Sequence, residues 1–193
     1  MPSDCKIEIL LESGTVCPIN TNEQQRLDAV ELAKVAIGSG EIALTHLVHI
    51  AATAFDAQIA VVMLLEEGRQ VCAARVGTEY RELPRRDSFC SITLERSAAF
   101  VVLDASLDPM LSDNPFVKGE RHIRFYAGVP IHFRGQPIGT FCLVDRRPRN
   151  RFSQQHLELL HRFGAIVEEV LGLRAARAQI GRDASRLEHM AAT

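Results

Sequence analysis

No apolar stretch in this 193-residue chain approaches the roughly 18 to 20 residues of a membrane-spanning helix, so no membrane partner is expected. An excess of one charge is missing too. Lys and Arg number 22 against 24 Asp and Glu, a net charge of -2, whereas nucleic acid or an anionic membrane would require a dominant basic face. The first residues carry Asp4, Lys6 and Glu8 around a short apolar patch and lack the basic start, long apolar core and small-residue cleavage site of a signal peptide. The five cysteines, Cys5, Cys17, Cys72, Cys90 and Cys142, are an odd number, widely spaced, with no Cys-x-x-Cys pair and no His-Cys cluster at metal spacing. Reduced thiols in a cytoplasm are the expectation. The sequence also has no nucleophile elbow, no phosphate-cradling glycine loop and no paired carboxylates on rigid elements, so no catalysis is expected.

What the chain does have is core-forming material, with 47% hydrophobic against 24% charged residues. Its length fits one domain with helical extensions and leaves no room for a second full domain. Residues 1–20 hold no sustained period, since Ser13-Gly14 and Pro18 interrupt the Ile7–Leu11 run, and read as a flexible arm. Thr21 or Asn22 suits an N-cap for a helix with Leu27, Val30, Leu32 and Val35, stopped by Gly38 and Gly40. A second amphipathic helix runs from Ile42 to Phe55. Ile59 to Leu65 is apolar on both strand faces and predicts a covered central strand, with Gln70 to Val76 as its hairpin partner. Residues 77–87 look like a loop, Ser88 to Arg96 like a short helix, Ala99 to Leu103 like a strand, and 104–122 like a long loop over a site. Ile123, Phe125, Ala127, Val129, Ile131 and Phe133 alternate with Arg124, Tyr126, Gly128, Pro130 and His132, the strongest strand pattern present. Arg134 to Pro137 turns this strand into Ile138–Asp145, and Ser153 caps a terminal helix. Tight turns between strands, with helices gathered at both ends, predict an antiparallel sheet of the α+β class, an α/β sandwich.

Over residues 24–172 this order, with its local motifs, resembles a GAF domain. The matching pieces are Ser88-Phe89-Cys90, Val101 to Ala105, Asp108, Asp113-Asn114-Pro115, Arg124 to Pro130, Gly139-Thr140-Phe141-Cys142, and Asp145 with Pro148-Arg149. The resemblance implies terminal helices packed on one sheet face and a loop-roofed pocket on the other, within a domain spanning residues 21–173. It also implies a bacterial sensor in signal transduction, with its output in a separate protein or in the dimer itself. The pocket candidates are Phe89, Cys90, Asp104, Asp113, Asn114, Phe116, Arg124 and Tyr126, facing an unknown small molecule. The resembled family's cyclic-nucleotide pattern, Asn-Lys-x-Phe followed by Asp-Glu, is not visible.

Each candidate has a plainer alternative. Bilin-binding members place a histidine after the attachment cysteine, but Ser91 follows Cys90 and Leu143 follows Cys142, so neither bilin nor haem is expected. Cys90 falls where GAF-fold methionine sulfoxide reductases carry a cysteine, yet Phe116 to Phe125 holds no thiol to close the redox cycle. Buried free cysteine otherwise behaves as a small hydrophobe. Asp104, Asp108 and Asp113 form either a metal or polar-ligand cluster or backbone-bonded turns. Arg124 either holds an anion or pairs with Asp108 or Asp113. His46 and His49 make half a metal site without a third ligand, so no metal is expected. Arg146, Arg147, Arg149 and Arg151 read as a solvated hairpin end.

The last helix carries Leu159, Phe163, Ile166, Val170, Leu173, Arg177, Ile180, Ala184, Leu187 and Ala191 in a three-four repeat, a coiled-coil seam. A second stripe of Leu157, Leu160, Gly164, Val167 and Leu171 suits packing on the sheet. A homodimer through Leu159, Phe163, Ile166, Val170 and Leu173 is therefore expected, with 174–193 as a coiled-coil-like extension and the first helix in the same bundle. Gly172 and Gly181 are the counter-signal, about 1 kcal/mol each. A thiol reductase and a pure dimerisation scaffold with a self-filled pocket stand as the alternatives to a ligand sensor.

Overall fold

The computed structural model describes residues 23–38 and 42–191. The expected arm at 1–20, the Thr21 or Asn22 cap and the Gly40 stop lie outside the described residues, as do the side chains of Ala184, Leu187 and Ala191. The elements are α1 (Glu23–Ile37), α2 (Ile42–Ala54), β1 (Ile59–Leu65), β2 (Arg69–Val76), β3 (Glu82–Pro84), α3 (Phe89–Arg96), β4 (Phe100–Val102), α4 (Pro115–Lys118), β5 (Phe125–Phe133), β6 (Gln136–Asp145) and α5 (Gln154–Ala191). Six strands form one antiparallel sheet in the order β3-β2-β1-β6-β5-β4.

The β5–β6 hairpin forms as its alternation predicts. Arg134 (φ 52°) and Gly135 (φ 76°) both take left-handed backbone, the two-residue turn whose twist suits a hairpin. The pairing skips Ile138, which opposes no residue between the Ile131–Gly139 and His132–Pro137 partners. That bulge keeps Ile138 with Phe141 and Leu143 in the core under the helices. Pro130 is tolerated because β4 reaches only as far as Gly128, leaving β5 an edge beyond it.

Two apolar layers sandwich the sheet. On one face Ala60, Val62 and Leu64 of β1, Ala127, Val129, Ile131 and Phe133 of β5 and the inner sides of α1, α2 and α5 form the main core. α5 approaches β5 closely because a Cβ on Gly164 would lie 2.9 Å from Val129 Cγ2. The sheet-facing stripe of α5 is Leu160, Phe163, Gly164, Val167 and Leu171, all buried.

Several expectations are corrected. Phe163, expected in the dimer seam, instead stacks on Phe141 at 5.4 Å between ring centroids and meets Phe55 at 5.8 Å. Leu159 and Val170 are half-buried against the same core, leaving Ile166 (42% exposed) and Leu173 (73% exposed) facing outward. Val30 of α1 is fully covered within the protomer, whereas Leu32 is exposed. The 77–87 segment contains β3, too short to show a period and formed by pairing with Arg69–Val71. The 104–122 segment contains α4. Arg149, expected in a solvated knot, turns inward to donate to Phe55 O (2.8 Å) and Asp56 O (2.9 Å).

Candidate functional site

On the other sheet face β1, β5 and β6 present Val61, Met63, Tyr126, Cys142 and Val144, and α3 with α4 covers them. The local sequence builds that roof. Ser88 caps α3, accepting from Cys90 N (3.1 Å) and Ser91 N (3.4 Å), while its hydroxyl donates to Gln70 Oε1 of β2 at 2.8 Å. Asn114 caps α4 through Phe116 N (2.8 Å) and donates to Asp87 O at 2.7 Å, tying the two roof pieces together. Under them lies a cavity of about 440 Å³, bounded by sheet residues, Phe89 and Cys90 of α3, Phe116 of α4 and the Gly77–Tyr80 loop.

The cavity floor carries a buried polar chain. Thr93 Oγ1 donates to Phe89 O (3.0 Å) and shares a 2.7 Å hydrogen bond with the Tyr126 hydroxyl, which lies 3.7 Å from Cys90 Sγ. Cys90 Sγ is in turn 3.8 Å from Cys142 Sγ. The Tyr126 ring fits because residue 128 is glycine, where a Cβ would fall 2.3 Å from the tyrosine hydroxyl. The hydrogen bond with Cys142 pulls the Cys90 thiol below its ordinary range against the opposing effect of burial, and the same pairing pushes Cys142 well up. Burial pushes Tyr126 up, and Cys72, at the same cavity, to about 11.

Of the expected pocket residues, Phe89, Cys90, Phe116 and Tyr126 line this cavity. The others sit away from its wall. Asp104 accepts from Ser106 N (3.0 Å) and Ser106 Oγ (2.6 Å), and Asp113 pairs with Lys118 in solvent. Asp108 accepts from Met110 N at 2.8 Å, so these acids shape their own loop. Neither partner expected for Arg124 is present, because its Nη1 donates to Val117 O and Ile123 O, both at 3.0 Å. His46 and His49 are exposed, and the described residues contain no group of three or more potential metal ligands.

The sequence brings Cys142 near the pocket without pairing it to Cys90, and it gives no sign of Arg121. Cys142 lies on β6 with its Sγ 3.8 Å from Cys90 Sγ. Arg121 lines the cavity with its Cζ 4.5 Å from the Tyr80 ring centroid and 4.6 Å from that of Phe116.

The model of the GAF domain family matches residues 40–171. A segment of 114 residues is 40% identical to a cyclic di-GMP phosphodiesterase of Pseudomonas aeruginosa, covering 58% of this chain and 19% of that protein. This chain therefore spans under a fifth of that relative's length. Among solved structures, the GAF domain of an Acinetobacter phosphoenolpyruvate-protein phosphotransferase is similar with a TM-score of 0.59 at 20% identity, covering 81% of this chain and 96% of that one. A free methionine-R-sulfoxide reductase from Neisseria meningitidis, in complex with its substrate, has a TM-score of 0.59 at 16% identity, covering 79% and 91%.

Proposed function

The chain belongs to the GAF domain family, and we propose that it works as a dimeric sensory module whose cavity binds a small molecule and transmits occupancy through its helices. The observation that carries this reading is the roofed cavity of about 440 Å³, largely apolar with a few placed polar groups, the usual character of a ligand site. A route for transmission lies beneath it. β5 presents Tyr126 to the cavity and Val129 to Gly164 of α5, so a shift of its floor meets the long helix directly. The relative named as a cyclic di-GMP phosphodiesterase supports a role as input to second-messenger turnover.

Ile166, Leu173 and Ile180 recur at seven-residue spacing, 42%, 73% and 70% exposed, which supports pairing of α5 with a second copy. Covering each is worth roughly 1.5 to 3 kcal/mol before association entropy is charged. Native mass spectrometry of protein purified from its own host tests both parts. A dimer carrying added small-molecule mass is expected; a ligand-free monomer at tens of micromolar overturns the reading.

A second reading, thiol-based reduction of a small sulfoxide, is favoured by the proximity of Cys90 and Cys142. Its balance is complete within the pair. Two thiols give up two electrons and two protons, the sulfoxide oxygen leaves as water, and sulfide and disulfide remain. One methionine formed per pre-reduced chain from free methionine sulfoxide, and none by Cys90→Ser, would install this reading in place of the sensor. No methionine is expected.

A further inference from the structure

We propose that the cavity takes a small anion with a flat apolar body, and that Arg121 holds its carboxylate or phosphate group. The proposal rests on the reading of the cavity as a ligand site and adds the ligand's charge and the residue that reads it.

The guanidinium of Arg121 is positioned without an acid. The Tyr80 and Phe116 ring centroids lie 4.5 and 4.6 Å from its Cζ, and its Nε is shut from solvent with no hydrogen-bond partner among the described residues. Four other arginines of the domain find partners for their guanidinium groups within the protein. Arg26 pairs with Glu23, Arg69 with Glu66 and Glu82, and Arg124 and Arg149 donate to carbonyls. Buried polar groups in folded proteins nearly all have partners, so a guanidinium donor held at a cavity wall and left unpaired marks a position where a partner arrives. The two rings hold the guanidinium at the cavity wall, where its Nη groups can meet a bidentate acceptor.

The surroundings define the rest of the ligand. Arg146 also borders the cavity, and among the described residues Glu79 is the only acid on its wall. The local charge therefore favours an anion. The same wall includes Ile123, Val144, Phe89 and the Tyr126 ring, which accept a flat apolar body and offer it few polar contacts.

The test compares 2-naphthoate, 2-naphthyl phosphate and the neutral isostere 2-naphthamide by calorimetry on the full chain. At least one anion is expected to bind wild type about 10-fold or more tighter than the amide, and the tighter anion identifies the headgroup. Arg121→Gln is expected to weaken that anion about 10- to 100-fold, the worth of charged hydrogen bonds, and to leave the amide within about twofold. Arg121→Lys keeps the charge without the fork and should fall between. Circular dichroism checks folding, and if Arg121→Gln does not fold, the wild-type comparison decides alone. Equal binding of amide and anions, or no loss in Arg121→Gln, overturns the anion proposal and leaves the cavity a ligand site. No binding by any of the three overturns both.

Discussion

Cys90 Sγ and Cys142 Sγ lie 3.8 Å apart in the cavity floor although 52 positions separate them in the chain. A disulfide between them would bring the sulfurs to roughly 2.05 Å. Hydrogen peroxide is expected to convert the two thiols to one disulfide, its two oxygens leaving as water. Peptide mapping should then find the Cys90 peptide joined to that of Cys142. After that oxidation iodoacetamide should still label the half-buried Cys72 under denaturing conditions and no longer label Cys90. Unchanged labelling of Cys90 after peroxide would contradict the paired-thiol picture.

The two stripes of α5 should separate stability from assembly. Phe163→Ala removes a ring packed on Phe141 and Phe55 and is expected to cost about 3 to 5 kcal/mol. Ile166→Glu with Leu173→Glu changes only outward positions and should give a folded monomer. Thermal melts and light scattering distinguish these effects. A double variant that stays dimeric would move the interface elsewhere.

Acid should weaken the α1 anchor. Hydrogen bonding to Arg26, ahead of the contribution of Arg85, holds the Glu23 carboxyl down from an ordinary 4.5 to about 2. A depressed carboxylate contributes stability that is complete above the unfolded value and lost as pH falls through the folded one, so the loss runs from 4.5 toward 2. Arg26 is buried and donates to Leu65 O at 2.7 Å, so it cannot escape to water when its counter-charge goes. Denaturant midpoints should fall across that window and fall less in Glu23→Gln. Identical slopes would remove Glu23 from the acid response.

Arg149→Lys should not behave as a conservative change. The guanidinium bridges Phe55 O and Asp56 O, where Asp56 holds φ 46°, and lies 4.2 Å from the Phe125 ring centroid. An ammonium cannot reproduce that fork, and the loss is set at about 1 to 2 kcal/mol. Arg147→Ala, on an exposed side chain, should stay within about 0.5 kcal/mol. Equal melting of the two variants would contradict the inward role of Arg149.

The elements legible in the sequence are those whose period the backbone itself imposes. The alternation from Phe125 to Phe133, the unbroken apolar run of β1 and the short helix opening at Ser88 are local signals, each readable within a few residues. β3 escaped because three residues carry no period and pair only once β2 offers an edge. For the cavity, the sequence indicated the roof and the aromatic floor. It misdirected the charged residues: Asp104, Asp113 and Arg124 satisfy nearby backbone or surface partners, and loop backbone offers such partners to any short acid or long base.

The sequence by itself determined the antiparallel sheet, its flanking helices and the family, because hydrophobic period and turn chemistry act over short distances. Only the tertiary structure decided that Phe163 joins the sheet-packing stripe of α5, because the Phe141 and Phe55 rings it meets are distant in sequence and periodicity cannot register them. It alone brought Cys142 to Cys90 and set Arg121 between Tyr80 and Phe116. Those contacts join positions 41 to 52 residues apart, or a loop to a helix with no shared period, and become neighbours only when the sheet closes beneath its roof.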